Sequence, residues 1–225
     1  MLHTDARHFA ADAQRIRARL VQDLTDRGAR MIDATIRSQR AWSRRFAFCD
    51  HLIGFGAGLR DVLLSWGIPD GAIFTNDTPV AGYFVRRKYW DFTVRDVSGR
   101  AHVLIENTRF RPRDSLSTRC YNLLGHLSDL HFTGRRAFTG LVFVCDALDG
   151  RLTPLISRRN RTALERFNRT CRQTGLLDAS TYIEITPDAA TEPSNALTLE
   201  RFLCTLHRKL SALPEGSLQA AGSRP

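Results

Sequence analysis

The chain has 225 residues, 43% hydrophobic and 25% charged, with no low-complexity block, which suits one good-sized globular domain. No run of eighteen apolar residues occurs and the N-terminal "MLHTDARHFAADAQRIRARL" has no apolar signal core, so a membrane span and secretion are not expected and the cytoplasm is. The formal charge is +10, and Lys88 and Lys209 are the only lysines, so arginine carries nearly all of it; such a balance points to a polyanionic partner, nucleic acid first.

Residues 4–48 read as helical, with Phe9, Ala13, Ile16, Leu20 and Leu24 near helical spacing and arginines on the other faces. Within them "RSQRAWSRRF" (37–46) is a basic stretch around Trp42, read as a solvated face with the tryptophan docked on the core. "CDHLIGFGAGLRDVLLSWGIP" (49–69) continues as helix and stops at Gly67, with Pro69 beyond. Its "GFGAG" (54–58) follows helix rather than strand, so close helix packing is expected there and not nucleotide binding.

Strand-like stretches follow at Ala72–Thr75, at Tyr83–Val85 leading into Tyr89–Asp96, and at Ala101–Thr108; the turn "DVSGR" joins the last two as a hairpin. "SLSTRCYNLLGHLSDLHF" (115–132) predicts an amphipathic helix burying Leu116, Cys120, Leu123, Leu124 and Leu127. "TGLVFVCD" (139–146) predicts a covered strand. A basic helix (158–174), the strand "TYIEI" (181–185), the loop "TPDAATEPSN" and a helix (197–210) complete the order. The fold class is therefore α/β, a mixed central sheet flanked by helices. One domain spans 1–213, with an N-terminal helical part (1–48) and a core (49–210), and 214–225 form a tail. Five scattered cysteines, Cys49, Cys120, Cys145, Cys171 and Cys204, lack any CxxC pair, which argues against disulfides and zinc.

Two acids stand inside the apolar hairpin. Alternation puts Glu106 and Thr108 on one face with Leu104 and His102, and puts Asp91 with Thr93 while Trp90, Phe92 and Val94 point away. In a suitable register Asp91 and Glu106 converge. Close carboxylates repel and call for a cation between them. Mg²⁺ fits, since it takes oxygen ligands and commonly uses one or two carboxylates with substrate phosphate. A basic protein with an acidic metal pocket suits phosphodiester hydrolysis. The plainer reading is an Asp and a Glu on a solvated hairpin face with no chemistry.

Four stretches carry a family likeness: "IPDGAIFTNDTPVAGYFVRRKYWDF" (68–92), "AHVLIENT" (101–108), "STRCYNLLGHLSDL" (117–130) and "RFNRTCRQTGLLDASTYIEI" (166–185). In order and spacing the chain resembles the restriction endonuclease family typified by XhoI, within the PD-(D/E)xK nuclease superfamily. The resemblance covers roughly residues 50–185 and implies an αβββαβ restriction-endonuclease-like core with Asp91 and Glu106 as metal ligands. Where the family has its catalytic lysine, this chain has Thr108, whose hydroxyl cannot supply that charge. Arg109 and Lys88 are the nearby substitutes, although strand parity sets both on the opposite face from the acids. "RFRPRDSL" (109–116) replaces the family's Gly/Asn-rich loop, and Arg119 is followed by Cys120 and Tyr121 rather than acids.

The resemblance implies a Mg²⁺-dependent type II endonuclease for double-stranded DNA, acting as a homodimer on a palindrome and accompanied by a cognate DNA methyltransferase. Asp91 and Glu106 hold the metal; Thr108, Arg109 or Lys88 lie near the attacking water; Arg111, Arg113 and Arg119 contact DNA. The alternative is a nuclease fold that only binds DNA. A histidine-based site, from His126 with Asp129 or His102 beside Glu106, is disfavoured because no HxxxH and no nucleophile-elbow serine occurs.

Overall fold

The computed structural model describes residues 9–22, 53–75, 79–110, 116–134, 136–146, 158–185, 190–191, 198–214 and 216–218. The helices are α1 (10–22), α2 (Ile53–Ser65), α3 (Leu116–His131), α4 (Arg158–Gln173) and α5 (Leu199–Ser211). The strands are β1 (Ile73–Phe74), β2 (Pro79–Val80), β3 (Lys88–Tyr89), β4 (Phe92–Arg95), β5 (Ala101–Phe110), β6 (Phe138–Asp146), β7 (Ala179–Ile185) and β8 (Ala190–Thr191).

The main sheet has six strands in the order β1-β4-β5-β6-β7-β8, and β2 and β3 form a separate small ribbon. Its middle is parallel, β5 beside β6 beside β7, while β1, β4 and β8 run antiparallel to their neighbours. The α/β class with a mixed sheet flanked by helices is as the sequence predicts. Successive parallel strands that step across a sheet in one direction place their crossover helices on one face. Accordingly α3, between β5 and β6, and α4, between β6 and β7, both pack on the face carrying Leu104, Leu141, Phe143 and Tyr182. The other face, with Phe92, Val94, Val103 and Ile105, is covered by α1, α2 and α5.

Local signals in α1 and α2 act as read. Phe9, Ala13, Ile16 and Leu20 are buried, whereas Leu24 and residues 37–46 lie outside the described residues. At the end of α2 the Ile68 N–H reaches Leu63 O (3.0 Å) and the Gly67 N–H reaches Leu64 O (2.9 Å), with Gly67 at φ 84°. Glycine is favoured at that left-handed position, and the two crossed bonds stop the helix. In "GFGAG", Gly58 is a packing residue: a Cβ there would stand 3.0 Å from the Ile16 Cα.

Other expectations are corrected. The stretch 83–85 is not strand, and the long strand 89–96 is two pieces, β3 and β4, with Trp90 and Asp91 between them. That break resets the alternation. Trp90 packs with Leu104, Leu123 and Leu127, opposite to Phe92 and Val94, rather than sharing their face. Leu124, assigned to the buried stripe of α3, is 37% exposed, and Leu130 takes the next buried position instead. The loop after β7 contains the short strand β8.

Candidate active site

The β4–β5 hairpin fixes the acidic pair. Phe92 faces Ile105 and Thr93 faces Leu104, so one further step along the antiparallel register sets Asp91 opposite Glu106. The turn is tied by Asp96, whose Oδ1 accepts the N–H groups of Ser98 (2.9 Å) and Arg100 (3.0 Å), and a shift of register between Val94 and Arg95 then sets the pairing at the acids. Gly99 in that turn sits at φ 80°, where a side chain is disfavoured. Asp91 Oδ2 then accepts the Asn107 N–H at 2.6 Å, anchoring the residue that precedes β4 to the strand carrying Glu106.

Lys88 completes the cluster. Its Nζ donates to Glu106 Oε1 at 2.8 Å and lies 5.7 Å from the centroid of the buried Trp90 ring. The parity expectation for Lys88 is thereby overturned: β3 pairs with β2 outside the main sheet, and the break at Trp90 and Asp91 releases Lys88 from the alternation of β4. One signal in the sequence marks it. In a chain with 33 basic residues lysine occurs only at 88 and 209, and one of those two meets a half-buried acid.

The pair is electrostatically strained. Burial first, then the charge of Asp91, pushes Glu106 up to about 7, against the charge and hydrogen bond of Lys88. Burial also holds Asp91 above the ordinary carboxylate value, against the Asn107 N–H and the Lys88 charge. Lys88 therefore compensates the two acids only in part. Glu106 Oε2 is buried and has no hydrogen-bond partner among the described residues. An orphaned buried oxygen beside a second carboxylate suits a small hard cation. No group of three or more His, Cys, Asp or Glu side chains comes together among the described residues. A cation here would have two protein carboxylates and would complete its shell with water and substrate oxygens.

The remaining predicted residues divide. Thr108 is buried on the β5 face of Glu106, its backbone beside Phe143. Arg109, in β5, pairs through its backbone with Val144 of β6, and Arg119 lies in α3; neither side chain is among those described. Arg111 and Arg113 lie outside the described residues. Of the two histidine pictures, His102 belongs to the turn, with Nε2 at 2.9 Å from Asp96 Oδ2. His126, on α3, sits near Lys88: burial and then the ammonium charge depress its pKa, against Asp129. Sequence spacing did not pick out that neighbour, because α3 and Lys88 meet only in three dimensions. A separate concavity of about 560 Å³, lined by Glu165, Asn168, Arg169 and Arg172, shares no residue with this cluster.

Compared with known proteins, the chain has no significant match: no family model, no curated protein and no solved structure.

Proposed function

We propose that this chain is a Mg²⁺-dependent DNA endonuclease of the PD-(D/E)xK kind and the type II restriction class, with Lys88 in the role of the family's lysine. The observation that carries the reading is the 2.8 Å contact between Lys88 Nζ and Glu106 Oε1, beside an acid pair held on one hairpin. Asp91 and Glu106 hold the cation through oxygen donors. When bound, Mg²⁺ would polarise the scissile phosphate and offset charge on the leaving oxygen. Lys88, steadied over Trp90, supplies a positive hydrogen-bond donor where Thr108 offers only a neutral hydroxyl. It is positioned to orient a water or to stabilise charge growing on the phosphate. Arg109, Arg111, Arg113 and Arg119 are the proposed contacts to double-stranded DNA, in a homodimer on a twofold site with a partner methyltransferase guarding the host DNA.

The test is cleavage of unmethylated plasmid and phage DNA with Mg²⁺, with Mn²⁺ and with EDTA, beside Glu106→Ala. Discrete metal-dependent fragments that vanish in the variant support the reading. Binding indifferent to Mg²⁺ with no scission would replace it by the DNA-binding alternative, which Thr108 at the lysine position favours.

A further inference from the structure

Three aromatic rings meet on the surface beside this site. Tyr83 and Phe84 have centroids 4.8 Å apart, and Phe132 lies 6.0 Å from Tyr83 and 6.3 Å from Phe84. The three are 65%, 74% and 61% exposed, respectively for Tyr83, Phe84 and Phe132. Single exposed aromatics are ordinary; three in mutual contact form a patch that marks an interaction site.

The loop that carries them is built, not loose. The Gly82 N–H reaches Val85 O (2.8 Å) and the Tyr83 N–H reaches Asp129 O (3.2 Å). The buried Asp129 carboxylate, on α3, accepts the N–H groups of Phe84 (2.5 Å) and Val85 (3.4 Å) through Oδ1. Gly82 is required for this approach, because a Cβ there would land on the Asp129 carboxylate. A buried acid thus orders a loop whose aromatic side chains are left in water.

Charge selects the occupant. The loop continues into Arg86 and Arg87, both exposed, and then into Lys88, while the exposed Arg136 follows Phe132 after one turn. A second copy docked about a twofold axis would bring these arginines toward their own mates. A polyanion would meet them with phosphates. Aromatic rings interleaved with arginine suit nucleic acid whose bases are unstacked, since every base offers a π face and the guanidinium takes phosphate. Bases within a duplex keep those faces covered.

We propose that Tyr83, Phe84 and Phe132 form a stacking platform for unpaired nucleobases, so that the nucleic acid taken by this chain has a single-stranded or opened segment beside the carboxylate site. It rests on the nuclease reading only for the partner being nucleic acid. Phe84 and Lys88 are close along the chain, at most about 14 Å even if fully extended. At roughly 3.4 Å per stacked nucleotide that is about four nucleotides, so stacked bases lie near the phosphate that Lys88 faces.

The experiment is fluorescence anisotropy in EDTA with one labelled oligonucleotide as single strand, as blunt duplex, and as duplex bearing a single-stranded flap. The expected result is binding of the flap-bearing duplex about tenfold or more tighter than the blunt duplex, with the single strand also bound. Tyr83→Ala with Phe84→Ala should erase that difference, with folding checked by circular dichroism. Gly82→Ala should erase it too, although it keeps every ring, because the loop leaves Asp129. Equal affinity for all three forms, in wild type and variants alike, overturns the platform and leaves metal-dependent cleavage untouched as a separate result. A wild-type dimer that the Tyr83/Phe84 variant converts to monomer in sedimentation assigns the patch to a second copy and also overturns it. If no oligonucleotide binds, both proposals fall together; strand-selective binding without cleavage removes the nuclease reading alone.

Discussion

At the scale of single residues, the chemistry turns on which group near Glu106 carries positive charge. Thr108 occupies the β5 position expected for the lysine, yet the ammonium that reaches Glu106 comes from Lys88 on β3, outside the hairpin. On the proposed nuclease reading, Lys88→Met should lower cleavage by about 10²–10⁴, the range for loss of one proton-transfer or charge-stabilising group, whereas Thr108→Ala should cost less than about tenfold. Single-turnover cleavage rates decide it, and the reverse ranking would return the role to Thr108. A second expectation concerns pH in metal-free protein. An unfolded Glu106 loses its proton near 4.5, but the folded one holds it to about 7 because of burial and then Asp91. Between those values the unfolded chain binds fewer protons, so the contribution of Glu106 to stability falls as pH rises, by on the order of 3 kcal/mol across the window. His126 opposes it below 6.5, because burial and then Lys88 make the folded imidazole bind a proton less readily than the unfolded one. Urea unfolding of wild type and Glu106→Gln from pH 5 to 7.5 separates the two. The wild-type-minus-variant difference should decline steadily with pH, and a flat difference would show that Glu106 is ordinary.

At the scale of elements, the same residues show what could be read in advance and what could not. The hairpin was legible, because its turn needs Gly99 and Asp96 and its strands alternate; so were α2 with its Gly67 stop and the buried run of β6. The acid pair followed once a suitable register was granted, but the shift between Val94 and Arg95 that sets this register had no signal in the spacing. The position of Lys88 did not follow, since a period of two holds only while a strand is continuous, and the chain leaves the sheet between β3 and β4. Nor could spacing show that Asp129 of α3 would organise residues 82–85, a contact fixed by tertiary packing rather than by local propensity. Glycine in α2 was legible as packing, and its cost can be checked. Gly58→Ala gains about 1 kcal/mol of helix propensity but drives a methyl to 3.0 Å from the Ile16 backbone, and overpacking of that kind costs about 1–3 kcal/mol. Because the neighbour is backbone, which gives less than a side-chain tip, the clash should win. The variant should unfold at lower urea with an unchanged slope; a rise in midpoint would mean that α1 moves aside at little cost.

At the scale of the whole molecule, a half-buried acid pair is set in a chain of net charge +10. On the proposed nuclease reading, surface arginines would draw the phosphate backbone in, Asp91 and Glu106 would repel the phosphate that comes closest, and Lys88 would offset only part of that repulsion. The two effects separate in a salt titration. Each phosphate neutralised by a surface cation contributes about −0.9 to the slope of log affinity against log salt, because a condensed counterion is released. Neutralising a buried acid adds no such contact. Above about pH 8, where Glu106 has given up the proton it holds to about 7, Glu106→Gln in EDTA should therefore shift the whole line upward, by roughly tenfold for a unit charge screened by Lys88 and partly by solvent, and leave its slope unchanged. Mg²⁺ should raise the affinity of wild type toward that of the variant and have little effect on the variant itself. Fluorescence anisotropy on one duplex across a salt series, with and without Mg²⁺, reads both quantities. A steeper slope in the variant would mean that Glu106 instead holds a surface arginine away from DNA. Wild-type affinity indifferent to Mg²⁺, with the variant no tighter, would place the bound phosphate away from the carboxylates and sever DNA binding from this site.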